Sequence, residues 1–204
     1  PATATTAADP TATLAPVAQA TITETVSTEI TSTETTTVDS SAALTQTKQD
    51  ALATYTDIVF VSYQDALTTA IALQTAIDAF VANPSLETQQ AAKDAWLAAR
   101  EPYGQTEAFR FYGGPIDNDN GRKGRINAWP MDESFVDGVQ GKPNAGLINN
   151  RQFAITKKNL SAQNERGGEE NIATGWHAIE FLLWGQDLSE TGPGNRSFED
   201  FVDG

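Results

Sequence analysis

The chain has 204 residues, with 13 Lys plus Arg against 27 Asp plus Glu, a net charge of −14 and a single histidine. Phosphate recognition needs clustered basic side chains, so a nucleic-acid surface is disfavoured, and so is attraction to an anionic membrane. There is no cysteine, which removes disulfides, thiolate metal sites and a cysteine nucleophile.

Residues 1–42 are mostly Thr and Ala with scattered acids, and no Lys or Arg precedes Lys48. So few large apolar groups do not offset the entropy of ordering the backbone, and the stretch reads as a disordered linker or stalk. The chain opens at Pro1 without the basic region and apolar core of an export signal, so either such a signal has been removed or the sequence is an excised piece. No uninterrupted apolar run reaches the ~20 residues that span a bilayer, so no transmembrane segment is expected.

From about 45 to 81 the pattern changes. Leu52, Tyr55, Val59, Tyr63, Ala66, Ala70, Ile77 and Val81 recur at helical spacing, which predicts one long amphipathic helix. Asn83-Pro84-Ser85 ends it and starts a second helix, whose apolar side carries Leu86, Ala92, Ala95, Trp96, Ala99 and Tyr103. So short a connection makes the two antiparallel neighbours. Pro102 removes a backbone donor and predicts a kink or break, with helix resuming over 106–111.

Residues 113–150 are rich in Gly, Asn, Asp and Pro but hold Ile126, Trp129, Met131, Phe135 and Val136. That combination predicts a long structured loop with buried anchors and a functional role. A short helix is expected at 132–138 and another at 149–163. The last helix is read over 169–184, with Gly175 in its interior and Gly185 as its C-terminal cap. A mid-helix glycine costs ~1 kcal/mol against Ala, so Gly175 marks the close approach of another backbone or a ligand.

On that helix His177 and Glu180 stand at i and i+3 and share a face. An imidazole and a carboxylate among indoles and Leu are paired with each other, paired with something distant, or bound to a metal. A satisfied core histidine is the plainer reading. For a metal, the lack of Cys and of a second His leaves oxygen donors for the remaining positions, which favours iron or manganese over structural zinc. Glu107 and Arg110 are also i and i+3, either a surface ion pair or a pair directed at the site. Asp117, Asp132 and Glu133 are turn and cap residues by default, and further ligands or supporting groups otherwise.

The stretch Gly175-Trp176-His177-Ala178-Ile179-Glu180 resembles the Gly-x-His-x-x-Glu signature of the imelysin-like family, in the branch called iron-regulated protein A. Blocks around Trp96, Glu107 to Phe111, Gly114 to Asp117 and Ile126 to Glu133 resemble that family in the same order. The resemblance implies an all-α, up-and-down helical bundle, the first half of a two-bundle fold spanning about 43–204 here. It implies export to the periplasm or outer membrane, often with a lipid anchor, and a link to iron uptake or homeostasis and its other components. The expected cargo is a metal ion, iron before zinc, with His177 and Glu180 as ligands and Gly175 as the motif glycine. Glu107, Arg110, Asp117, Asp132 and Glu133 fall in matching blocks. The family also carries a metallopeptidase label, which makes a zinc peptidase the competing reading and a non-catalytic interaction domain the third.

Overall fold

A computed structural model describes residues 40–118 and 122–202. It is all-α: seven α-helices and two 3-10 turns are found among the described residues, with no strand. Helix α1 (Ser40–Ala82) has 43 residues, begins inside the stretch read as linker, and leaves residues 1–39 outside the described residues. Its many hydroxyls are accommodated by bonds to the preceding turn, such as Thr56 Oγ1 to the Leu52 carbonyl at 2.8 Å and Thr75 Oγ1 to the Ile71 carbonyl at 3.0 Å. By length and composition alone, α1 is also long and apolar enough to pass as a membrane span.

Helix α2 (Leu86–Thr106) starts with a capping box. Ser85 Oγ accepts from the Thr88 amide at 3.2 Å, and the Ser85 amide donates to Thr88 Oγ1 at 3.1 Å. The helix runs unbroken through Pro102 to Thr106. Pro102 is accommodated inside the helix at the loss of the one bond its nitrogen would have donated to the Ala98 carbonyl, so of the predicted kink or break the break does not occur. A 3-10 turn, Glu107–Phe109, follows.

α1 and α2 close on a core of Leu73, Phe80, Ala92, Trp96 and Ala99. Along the first half of α1, Leu52 and Tyr55 stay exposed among the described residues, although Phe109 packs its ring near Tyr55 and Tyr63. The region after α2 holds three single-turn helices, α3 (Lys123–Ile126), α4 (Glu133–Val136) and α5 (Gly146–Asn149), and then α6 (Lys157–Gln163). The expected helix over 149–163 is thus two pieces separated by an irregular stretch.

Helix α7 (Trp176–Trp184) is shorter than the expected 169–184. It begins at Gly175, which is its N-cap at φ +88°, not an interior residue. Trp176 and Leu183 complete the core, and Trp96 Nε1 donates to the Trp176 carbonyl at 3.1 Å. The buried Gln89 side chain donates to the Leu183 and Arg196 carbonyls at 3.3 and 3.0 Å. Arg196 in turn pairs with Asp137 at 2.7 Å, tying the chain after α7 to the end of α4.

The His177–Glu180 cleft

The position of α7 is set by the segment that crosses its N-terminus. A Cβ on Gly175 would stand 2.3 Å from the Ile126 carbonyl oxygen and 2.8 Å from that of Arg125. Thr174 Oγ1 donates to the Arg125 carbonyl at 2.9 Å, and Asn164 Nδ2 to the Gly124 carbonyl at 2.8 Å. Close backbone approach, expected beside His177, is what the glycine permits. Three residues on from Ile126, the Trp129 ring lies 4.7 Å from the His177 ring, tilted by 53°. Trp129 is 69% exposed, so it is a wall of the site and not the buried anchor expected.

His177 Nδ1 and Glu180 Oε2 are 3.1 Å apart, with side-chain exposures of 17% and 44%. One turn of helix delivers this contact directly. The pair opens on a cleft of about 480 Å³ whose apolar walls include Trp96, Trp129, Met131 and Trp184. Glu133 and Asp187 line the same cleft. Burial pushes the Glu133 carboxyl above its ordinary range, the Gln186 amide pulls it back, and Asp187 and Asp132 push it further up.

Glu133 is therefore the one additional acid, of those singled out in the sequence, that reaches the cleft. Asp132 caps α4 and accepts from the Ser134 amide at 2.9 Å and its hydroxyl at 2.7 Å. Asp117 closes a turn by accepting from the Phe111 amide and from the Gly114 amide at 2.9 Å. It borders a different groove, with Tyr55, Tyr63 and Tyr112. Glu107 pairs with Arg110 at 3.0 Å and accepts from Asn127 Nδ2 at 2.7 Å. Asn127 Oδ1 accepts from Arg100 Nη1 at 3.1 Å, so these groups hold the segment that leads to Trp129. Arg110 Nε and Nη1 are buried without a hydrogen-bond partner among the described residues. Two cleft residues went unforeseen: Asp187, which sits just past the Gly185 cap, and Trp129 as a surface ring.

Metal ligands bound at about 2.1 Å and at right angles to each other stand about 3.0 Å apart. The 3.1 Å between His177 Nδ1 and Glu180 Oε2 matches two adjacent coordination positions, and equally an N–H···O hydrogen bond. Among the described residues no three His, Asp or Glu groups lie close enough together to hold an ion. The pair thus fits part of a coordination sphere, not a whole one.

The sequence model of the imelysin family, a peptidase family by its label, matches residues 59–204. The chain belongs to the imelysin family. It is also 30% identical over 138 residues to "Iron-regulated protein A" of Synechococcus elongatus, which covers 68% of this chain and 32% of that protein. This imelysin-family chain therefore spans about a third of the length of the curated relative it matches.

Proposed function

We propose that this chain is the cation-binding part of an exported iron-uptake or iron-homeostasis protein, with iron as its cargo and His177 and Glu180 as two adjacent ligands. One observation carries the reading: an imidazole nitrogen and a carboxylate oxygen 3.1 Å apart at the edge of an open cleft. The carboxylates of Glu133 and Asp187 on the same cleft supply a negative field for a cation. Family membership and the printed name of the relative support iron over other metals. Glu107, Arg110, Asp117 and Asp132 are assigned support of the backbone around the cleft, not ligation. Calorimetric titration of the chain with ferrous ion tests this. His177→Ala and Glu180→Gln are each expected to weaken binding by more than about a hundredfold; equal binding by wild type and both variants overturns it.

The family label favours a second reading, a zinc peptidase. Such an enzyme needs a third ligand and an activated water at the metal. Chelator-sensitive cleavage of a peptide substrate, lost in Glu180→Gln, would establish it, and chelator-insensitive or absent cleavage would dismiss it.

A further inference from the structure

We propose a second binding site, an aromatic cage for a small quaternary ammonium ion of the choline type, formed by Tyr55, Tyr63, Phe109 and Tyr112 beside the Asp117 carboxylate. It shares no residue with the His177–Glu180 cleft and does not rest on the cation-binding reading.

Helical spacing and the turn after α2 bring the walls together. Tyr55 and Tyr63 stand at i and i+8 on α1 and so share a face. Phe109 packs against both, its ring centroid 5.9 Å from that of Tyr55 at 83° and 6.3 Å from that of Tyr63 at 47°. Rings held at such angles do not hide their faces in a stack. Tyr112 borders the same groove and lies close enough to the Tyr55 hydroxyl to raise that phenol above its ordinary value. Tyr55 and Tyr112 remain 42% and 73% exposed, so their rings are open to a ligand.

The backbone that carries Tyr112 is fixed under strain. Phe111 has φ +77°, a left-handed conformation that a bulky residue rarely adopts. The Asp117 side chain holds it there by accepting from the Phe111 amide and, at 2.9 Å, from the Gly114 amide. Tyr112 lies between those two anchored residues. Strain over-determined by its surroundings gathers at ligand-binding positions.

The chemistry of the walls selects the ligand. Aromatic faces attract a cation through their quadrupole, and Asp117 adds a full negative charge in a chain of net charge −14. Both Asp117 oxygens already accept amide protons. A primary ammonium brings three N–H donors that need acceptors once it leaves water. A quaternary ammonium brings none, and its methyl groups pack on the rings. The groove, about 700 Å³, is of a size that takes a small organic ion. Arg110 and Lys123 stand over the Phe111 ring at 5.8 and 5.9 Å, and Phe111 is not among the walls.

The experiment titrates the full chain with choline, with ethanolamine and with the neutral tert-butyl isostere of choline, in which carbon replaces nitrogen. Calorimetry reads affinity, and the upfield ring-current shift of the N-methyl protons reads contact with aromatic faces. Choline is expected to bind at least about tenfold tighter than either analogue. Tyr112→Ala, a change at an exposed ring that the fold tolerates, is expected to weaken choline about tenfold and to reduce the upfield shift. Tyr112→Phe, which keeps the ring, is expected to stay within about twofold of wild type. Saturating ferrous ion is expected not to displace choline. Equal binding of choline and its neutral isostere overturns the proposal, because the groove is then merely apolar. So does choline binding that Tyr112→Ala leaves unchanged or that ferrous ion displaces, since the ion then sits elsewhere, and so does the absence of choline binding. Each of these results leaves the reading of the His177–Glu180 cleft where it stood.

Discussion

At Gly175 the backbone sits at φ +88°, and the Ile126 carbonyl oxygen occupies the space a Cβ would need. Both facts act against any side chain, one through backbone strain and one through overlap with main chain that has little room to yield. Gly175→Ala is expected to cost about 3 kcal/mol, read from the urea midpoint at unchanged slope. The same change displaces the segment carrying Trp129, so it also weakens cation binding. Glu133 gives a pH signature. Burial raises its carboxyl above the ordinary value of 4.5, so the folded chain holds that proton more tightly than the unfolded one. Its contribution to stability is full below pH 4.5 and is lost as the pH rises through the raised folded value. Glu133→Gln removes that loss. The variant should melt higher than wild type at pH 7 by under about 1 kcal/mol, because solvent screens a partly exposed carboxyl, and the gap should close below pH 4.5.

At the scale of elements, α7 is held by its neighbours more than by its own length. Nine residues do not make a stable isolated helix. Trp96 bonds its first turn, and Gln89 bonds both its end and the strand of chain returning at Arg196. Gln89→Leu leaves one buried and one partly buried carbonyl without their donor and is expected to cost about 2 kcal/mol, again by urea unfolding. The sequence revealed the elements with a long, regular pattern, α1 and α2, and their antiparallel pairing through Asn83–Ser85. It misplaced the start of α7. Residues 169–174 look helical by composition, but their polar groups are taken by loop partners, as when the Asp132 amide donates to the Glu170 carbonyl and the Ala173 amide to Asn164 Oδ1. Those partners lie outside the segment itself and leave no periodic trace. Pro102 did not break α2, because one missing donor leaves the rest of the helical ladder intact.

For the whole molecule, the site was only partly legible. His177 and Glu180 could be paired because one helical turn fixes their distance. Glu133 and Asp187 meet there through the tertiary path of the irregular region, which places Asp132 on a cap and Asp117 on a separate turn. The chain thus brings one imidazole, one exposed indole and three carboxylates to a single cleft. The central claim is that iron is bound by the motif pair in that cleft. Because His177 is the only histidine in the 204 residues, an imidazole signal from bound iron has a single source. X-ray absorption spectroscopy of the iron-loaded chain is predicted to show one imidazole in the metal's coordination shell, absent in His177→Ala; a shell of oxygen donors alone in the wild type would contradict the account.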